Sequence, residues 1–598
     1  MCGIVGYVGE RPALAVLVDG IERLEYRGYD SAGICLRADP LEVYKRAGDV
    51  SDLREVLPES ASAVCGVGHT RWSTHGEPTD YNAHPHVDET SRHAVVHNGI
   101  IENHESLRRH LEGKGHEFES DTDTEVVPHL LEEAEGSLFD RVRAAVEELE
   151  GSYAVACVSS EADEVVVARN DSPLVVGLGD DANYVASDVT AFVEHTKDVV
   201  YLEDGDVARL NADSVEIWNA EEGEDVERDV ETVDWDVEDA ERGGYPHYML
   251  KEIHEQPEAL RRAIAGRVDE VEGEVSLEVD VEDYDDVERV EVVACGTSYH
   301  AGMYARRLVE RHVDVPVSVE HASEYLTPIS ASDTLVVAVT QSGETADTLA
   351  AMRRASRAGA KTLAVTNTVG STAAREADDV LYIRAGPEIG VAATKTFASQ
   401  VAVLTLLDVA VARSRGGLSA AEAAELLEDV RGLPAAVQRA LDREDDVEEI
   451  ARRHVDDRAY FYVGRSLGYP VALEGALKMK EISYDHAEGY PAGELKHGPL
   501  ALVDDDTLVV AVSTRGTRPE DTRSNVREVA SRGAPVLAVT SDEETARIAD
   551  ETLDVPTLGD LEPLVANVYL QLLAYHVAAL QDRSIDRPRN LAKSVTVE

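Results

Sequence analysis

The chain opens Met1-Cys2-Gly3-Ile4-Val5-Gly6. Removal of Met1 before so small a residue would leave Cys2 first, with its thiol and a free α-amine on one residue. An α-amine titrates at about 7.7–8.0, so near neutral pH it can act as a base. Nucleophile and general base would then come from a single residue, as in N-terminal threonine catalysis. Taken alone, Cys2 also reads as a small buried hydrophobe in a first strand. A second set of reactive residues lies far along the chain, in Glu474-Gly-Ala-Leu-Lys-Met-Lys-Glu-Ile-Ser-Tyr484 and Gly493-Glu-Leu-Lys-His-Gly-Pro499. On a helix, Lys478 and Glu481 share a face, which an ordinary ion pair would explain. Yet only 10 of the 56 basic residues are lysine, and Lys478, Lys480, Lys496 and Lys593 are among them. Arginine cannot form a Schiff base, whereas a desolvated lysine can.

Two further turns could hold an anion. Thr340-Gln-Ser-Gly-Glu-Thr345 follows an apolar run and precedes a helical stretch, Ala346–Ala358, and Cys295-Gly-Thr-Ser298 repeats that arrangement one unit earlier. Backbone N–H groups, hydroxyls and a positive helix end there suit a phosphate, and ordinary helix capping is the alternative at each. Neither Gly-x-Gly-x-x-Gly nor a Walker lysine is present, so a nucleotide site is disfavoured.

These residues need elements to position them. Up to about residue 235, short apolar runs alternate with Gly, Asn and Asp turns: Ile4–Val8, Val64–Val67, Ala94–Val96, Ala154–Val158, Glu164–Ala168, Leu174–Gly177 and Tyr184–Ala186. They predict a sheet-rich domain, with helices near Pro12–Leu24, Asn103–Gly113 and Glu125–Leu149. Asn98-Gly99 is by itself a hairpin-turn signal, and Ser120–Glu125 a helix start. Acids dominate Asn219–Arg242, which reads as a boundary or exposed edge, and His247–Ala265 predicts a bridging helix. The second half repeats itself: Thr334-Leu-Val-Val-Ala-Val-Thr340 and Lys361-Thr-Leu-Ala-Val-Thr-Asn367 recur 173 and 174 residues later as Thr507-Leu-Val-Val-Ala-Val-Ser513 and Pro535-Val-Leu-Ala-Val-Thr-Ser541. Continuous β-branched runs between helices indicate parallel strands buried on both faces, hence two similar doubly wound α/β domains.

Composition narrows the partners. The apolar fraction, 43%, is ordinary for a folded chain, whereas 117 acidic against 56 basic residues give a formal charge of −61, spread throughout. Such a surface repels itself unless ions screen it. It implies a salt-adapted protein of haloarchaeal type, and argues against nucleic acid or an anionic membrane as partner. No signal-peptide pattern precedes Cys2 and no apolar run nears the ~20 residues of a membrane span. The five cysteines (Cys2, Cys35, Cys65, Cys157, Cys295) are scattered without a Cys-x-x-Cys pair. This points to a reducing cytoplasm, no disulfide framework and no zinc site. The histidines from His69 to His104 lack Cys partners or a His-Glu-x-x-His pattern, so no metal is expected.

Five stretches in the first half occur together: the Cys2 opening, Leu24-Glu-Tyr-Arg-Gly-Tyr-Asp-Ser-Ala-Gly33, Gly68-His-Thr-Arg-Trp-Ser-Thr-His-Gly-Glu-Pro78, Val96-His-Asn-Gly-Ile100 and Ser120-Asp-Thr-Asp-Thr-Glu125. Together they resemble the class II glutamine amidotransferase domain of the N-terminal nucleophile hydrolases, with an αββα fold over residues 2–235. The resemblance implies that Cys2 attacks the side-chain amide of glutamine, giving a glutamyl thioester and ammonia. It implies an oxyanion hole at Asn98 and the Gly99 N–H, Arg71 on the substrate α-carboxylate and Asp123 on its ammonium. Thr74 and His75 would line the pocket, Trp72 would gate it and Arg27 would order the closed loop.

The second half resembles the isomerase half of the glutamine–fructose-6-phosphate aminotransferases, and His247-Tyr-Met-Leu-Lys-Glu-Ile253 is similar to that family's interdomain segment. The resemblance implies two sugar isomerase (SIS) domains at 285–435 and 450–585, a linker at 236–284 and a tail, 586–598, that completes the isomerase site. Lys593 would form a Schiff base with open-chain fructose 6-phosphate, Glu481 would move a proton between C1 and C2, His497 would open the ring and Lys478 would stabilise the enolamine. Ser298, Thr340, Gln341, Ser342 and Thr345 would bind phosphate; Val391 and Ala592 would contact the sugar through backbone groups. Glutamine and fructose 6-phosphate are the implied partners, a homodimer the implied state, and no cofactor is implied. Thr340 stands where the family has serine, and Ala393 in Val391-Ala-Ala-Thr-Lys395 replaces another serine, which removes a hydroxyl near the sugar. Another class II amidotransferase is the rival enzyme, disfavoured by the repeated phosphosugar domains. A sugar-phosphate-sensing regulator would need a DNA-binding element that this acidic chain does not offer.

If charge repulsion limits this chain, its melting temperature rises between about 0.1 M and about 3 M KCl as the screening length falls from about 10 Å to below 3 Å. A melting curve that does not move with salt would refute salt adaptation.

Overall fold

The computed structural model describes residues 2–72, 77–233, 242–269, 272–326 and 331–595. It forms two units, Met1–Ala240 with Ala592–Glu598, and Glu241–Leu591.

In the first unit every apolar run named above falls on a strand, with Val64 and Leu174 one residue before theirs. Gly3–Gly9 pairs antiparallel with Cys65–Arg71 on one side and Ala182–Ala186 on the other, at the centre of an eight-stranded sheet. A seven-stranded antiparallel sheet holds His93–Ile101 between His86–Val87 and Gly151–Ser159. Small and β-branched residues from both sheets, among them Ile4, Val67, Val96, Ala156, Val165 and Val185, share one core. Helix Ala13–Arg23 covers the first sheet. Helices Val126–Glu133 and Leu138–Val146 cover the second. The layers are thus αββα.

Two sequence expectations change here. Asn98-Gly99 is no hairpin turn: both residues lie inside His93–Ile101, opposite Ala154 and Tyr153. Gly99 has φ +118°, and a Cβ there would lie 2.1 Å from the Ser152 carbonyl oxygen, so the strand tolerates only glycine. The helix expected over Glu125–Leu149 is two helices, because Gly136 adopts φ +104° and Ser137 starts the second in a capping box with Asp140. That Ser-x-x-Asp signature was legible, but the continuous apolar period masked it.

The second unit holds two five-stranded parallel sheets of identical order. One runs Val317–His321, Arg289–Ala294, Thr334–Val339, Lys361–Thr366, Asp379–Tyr382; the other His486–Pro491, Ala459–Gly464, Thr507–Ser513, Val536–Thr540, Glu551–Asp554. The repeated sequences occupy equivalent central strands. In each sheet the first and third strands in sequence are neighbours, and the chain order reverses between them, which is where doubly wound folds open a crevice. Cys295–Ser298 and Thr340–Thr345 follow those two strands in the first sheet.

The expected bridge, His247–Ala265, is two helices, Tyr248–His254 and Gln256–Ile264, with Pro257 at the start of the second. Met249, Ile253 and Leu260 sit in the unit's main core. Helices Lys395–Ser414 and Glu562–Leu580 are buried on nearly every face. Both are long and apolar enough to cross a membrane by composition, a match that scanning for unbroken apolar runs missed, but 94% and 89% of their apolar windows are buried inside the protein.

Beside the second sheet, His454 lies 2.7 Å from Asp457 and 2.9 Å from Glu551 through its two ring nitrogens. Burial alone would depress its pKa, but the two carboxylates outweigh burial and raise it to about 9. A folded pKa above the unfolded 6.5 gives stability that is complete below pH 6.5 and lost as pH rises through about 9. Denaturant unfolding of wild type and His454→Gln should therefore differ most below pH 6.5 and converge above pH 9. A difference constant with pH would overturn this.

Candidate active sites

The first site is built on the start of strand Gly3–Gly9. The Trp72 N–H donates to Cys2 Sγ at 3.3 Å, and the thiol lies 3.5 Å from the Trp72 carbonyl oxygen. Two side chains hold the Cys2 carbonyl: Asn98 Nδ2 at 3.1 Å and Arg27 Nε at 3.2 Å. Arg27 also pairs with Asp188 at 3.5 Å, which accepts the Tyr26 hydroxyl at 3.0 Å. The second Asn98 donor reaches Ser187 Oγ at 2.7 Å, and Ser187 accepts the Ile4 N–H at 2.9 Å.

The orientation of the Asn98 amide follows from its neighbour. His69 Nε2 lies 3.0 Å from the His97 carbonyl, which can only accept, so Nε2 carries the proton. The Asn98 atom 3.1 Å from the same nitrogen must then be Oδ1. Burial pushes His69 down to about 3, so the ring stays neutral.

Arg71 is buried, and burial lowers its pKa against the pull of Cys2, Asp123 and Asp30, which gather around it. Asp123 accepts the Ile101 N–H at 2.9 Å. It lies just before helix Val126–Glu133, whose first residues are not capped by Ser120 or Asp123. Instead Glu125 folds back to accept the N–H groups of Glu119 and Ser120, both at 2.7 Å. His86 and His97 anchor this loop through Thr122 and Thr124 at 3.0 and 2.8 Å. The ring nitrogens that contact them are therefore used in packing. Trp72 meets Tyr29 edge to face at 5.5 Å. Thr74 and His75 lie outside the described residues.

The second site centres on Lys478, wholly buried in helix Gly468–Ser483. Its ammonium contacts Glu481 at 2.5 Å, Thr297 at 3.1 Å and Glu474 at 3.4 Å. Burial alone would depress the ammonium, but Glu481 and Glu474 overcome it and hold it above the usual lysine range. Glu474 accepts Thr297 at 3.0 Å and lies 2.7 Å from His300 Nδ1. Because Thr297 and His300 belong to helix Gly296–His312, this cluster joins the two parallel-sheet halves.

Both candidate phosphate turns open a helix without side-chain capping, at Cys295 and Thr345. Ser298 accepts Gln400 at 2.9 Å, the Gly343 N–H donates to Thr340 at 3.2 Å and the Glu344 N–H to Ser342 at 3.1 Å. Gln341 supplies its carbonyl to Asn367 at 3.1 Å. Gly343 has φ +71°, and a Cβ there would lie 2.0 Å from Ser371. The Val391 N–H donates to Asp586 at 3.2 Å, and His497 is exposed at the end of the 3₁₀ turn Ala492–His497. Ala592 and Lys593 belong to the segment grouped with the first unit.

Sequence reasoning missed Ser187, Asp188, His69, Thr297, His300 and Glu474 as partners. Ser187 meets Asn98 only because strand Ala182–Ala186 pairs with Gly3–Gly9, a contact without local signal. Glu474 lay four residues before Lys478 on the predicted helix and could have been found by that spacing.

Residues 284–412 and 453–581 match the SIS domain family, and residues 69–194 match a glutamine amidotransferase domain family. A glutamine–fructose-6-phosphate aminotransferase (isomerizing) of Halobacterium salinarum is 56% identical, and one of Thermus thermophilus 50%, each over the full length of both chains. The solved C-terminal domain of glucosamine-fructose-6-phosphate aminotransferase from Francisella tularensis is 39% identical, with a TM-score of 0.56. It covers 58% of this chain and all of that one.

Ser187→Ala leaves an Asn98 donor and the Ile4 N–H without their acceptor, which should cost about 1–3 kcal/mol of stability. Urea unfolding would show it, and an unmoved midpoint would mean that Ser187 holds neither group.

Proposed function

Because the chain belongs to the glutamine–fructose-6-phosphate aminotransferase (isomerizing) family, we infer that it transfers the amide nitrogen of L-glutamine to D-fructose 6-phosphate. It isomerises the product to D-glucosamine 6-phosphate and releases L-glutamate. The observation that carries this reading is that one chain holds both a Cys2 thiol set beside Arg71 and Asp123 and a buried Lys478–Glu481 pair beside phosphate-type turns.

At the first site the Cys2 thiolate attacks the glutamine amide carbon, and the α-amine exposed by loss of Met1 takes the thiol proton and passes it to the leaving ammonia. The developing oxyanion falls to the Gly99 N–H and Asn98 Nδ2. For this, Asn98 must give up one of the contacts it makes to Cys2 and Ser187. Water then cleaves the thioester to glutamate. The buried Arg71 fork suits the substrate carboxylate and Asp123 its ammonium, with Trp72, Thr74 and His75 around them and Arg27 holding the Cys2 backbone.

At the second site His497 opens the sugar ring, and Lys593 forms an imine at C2. Ammonia displaces the lysine. Glu481 takes a proton from C1 and returns one to C2, turning a ketose imine into an aldose amine. The Lys478 ammonium offsets charge on the enolamine, a role supported by its raised pKa. Ser298, Thr340, Gln341, Ser342 and Thr345 take the phosphate, and backbone groups of Val391 and Ala592 face the sugar. Carrying both sites on one chain keeps ammonia from being protonated and lost to water. The −61 charge and the Halobacterium relative support a salt-adapted protein that acts without nucleic acid or anionic membrane, and the family reading adds a cytoplasmic homodimer.

With amide-15N-glutamine and fructose 6-phosphate, mass spectrometry should find the label in glucosamine 6-phosphate. Cys2→Ala should abolish the glutamine-dependent product and spare synthesis from ammonia, whereas Lys593→Arg should abolish both. Unlabelled product, or glutamine-dependent activity in Cys2→Ala, would refute the assignment.

A further inference from the structure

A cluster in the first unit is used by neither site. Glu89 lies in the turn between His86–Val87 and His93–Ile101, His116 follows helix His104–Lys114, and His129 and Glu132 lie three apart on helix Val126–Glu133. The donor atoms of Glu89, His116 and His129 all lie within 4.8 Å of one another. His116 Nδ1 is 3.7 Å from Glu89 and 3.6 Å from Glu132, and His129 Nδ1 is 3.9 Å from Glu132.

These separations are too long for hydrogen bonds. His129 is 1% exposed, yet neither of its ring nitrogens has a hydrogen-bond partner, and the same holds for the buried atoms His116 Nδ1 and Glu132 Oε2. Three of these atoms, His116 Nδ1, His129 Nδ1 and Glu132 Oε2, approach one another within 3.9 Å while unpaired, and an unpaired buried polar atom costs free energy. A protonated His116 bridging the two carboxylates would draw them to hydrogen-bond distance, which they do not reach.

The far side of His116 shows which atom is free to coordinate. Its Nε2 lies 3.1 Å from Glu133, a carboxylate that also takes Lys114 at 2.7 Å. That places the proton on Nε2 and leaves the Nδ1 lone pair facing Glu89 and Glu132. A ligating histidine whose other nitrogen donates to a carboxylate is the usual outer arrangement of a metal site. Glu89 is likewise held, accepting the Glu117 N–H at 2.8 Å.

We propose that Glu89, His116, His129 and Glu132 bind one divalent first-row transition-metal ion, with zinc the best match to two imidazoles and two carboxylates. Donors at about 2.0–2.2 Å from a tetrahedral zinc lie about 3.3 Å apart, so the three histidine–carboxylate spacings of 3.6–3.9 Å need to close by a few tenths of an ångström and the wider ones, up to 4.8 Å among Glu89, His116 and His129, by more than an ångström. With four protein donors no coordination position is left open, so the ion is structural. It ties the 88–92 turn, helix His104–Lys114 and helix Val126–Glu133 into one body. The loop between the last two carries Asp123. No local pattern points to this site: the donors come from three separated segments, and the expectation of no metal rested on the histidines from His69 to His104.

The test is a zinc titration of the full-length, chelator-stripped protein, read by calorimetry, melting temperature and X-ray absorption. Wild type should bind one zinc per chain through nitrogen and oxygen only, and its melting temperature should rise by a few degrees. His129→Asn should lose that rise. Glu89→Gln, which keeps an acceptor for Glu117 at an exposed position, should weaken binding about ten-fold or more while the fold stays intact. Absent binding, equal affinity in Glu89→Gln, or sulfur in the first shell would overturn the proposal.

Discussion

A polar group can leave water only if its partner leaves with it, and both reaction sites of this chain are built under that constraint. Lys478 is wholly buried and is tolerable because Glu474, Glu481 and Thr297 are brought to it. Two of these lie on its own helix, but Thr297 belongs to the other parallel-sheet half. An unpaired buried ammonium costs several kcal/mol, so the cluster forms only when both halves are in place, and the site inherits that rigidity. Arg71 follows the same rule with Asp123 and Asp30.

The Cys2 site shows how far such pairing reaches. The thiol is held by the backbone of Trp72, and its own carbonyl by Asn98 and Arg27. Asn98 is oriented by His69 and Ser187, and Ser187 also fixes the Ile4 N–H. The residues involved lie at 2, 27, 69, 72, 98 and 187, on strands and loops that meet through antiparallel pairing. Each holds another, so Cys2 and Ile4 are tied by hydrogen bonds to strands and loops far along the chain.

Individual elements show what local signals convey. Asn98-Gly99 carries a genuine turn signal, yet it sits mid-strand because Gly99 must let the Ser152 carbonyl approach. Helix Glu562–Leu580 looks lipid-facing by composition, but it is surrounded by protein. In both cases the dipeptide or composition reports what the backbone tolerates, and the neighbours decide how that tolerance is used.

From the residues alone came the elements and much of the chemistry: a sheet-rich first half, the doubly wound parallel sheets, the repeat that makes the second unit two similar halves, and the clusters that include Cys2, Arg71, Asn98, Lys478 and Glu481; the αββα layering was implied by the family resemblance. Periodicity and short spacings carry that information because they act within one turn or one strand. Tertiary structure alone decided that Ser187 and His69 orient Asn98, that Thr297 and His300 complete the Lys478 cluster, and that Glu89, His116 and His129 converge. Those partners are separated by tens to hundreds of residues, and the bonds that join them depend on how strands pair and helices stack. No local pattern in the chain encodes that.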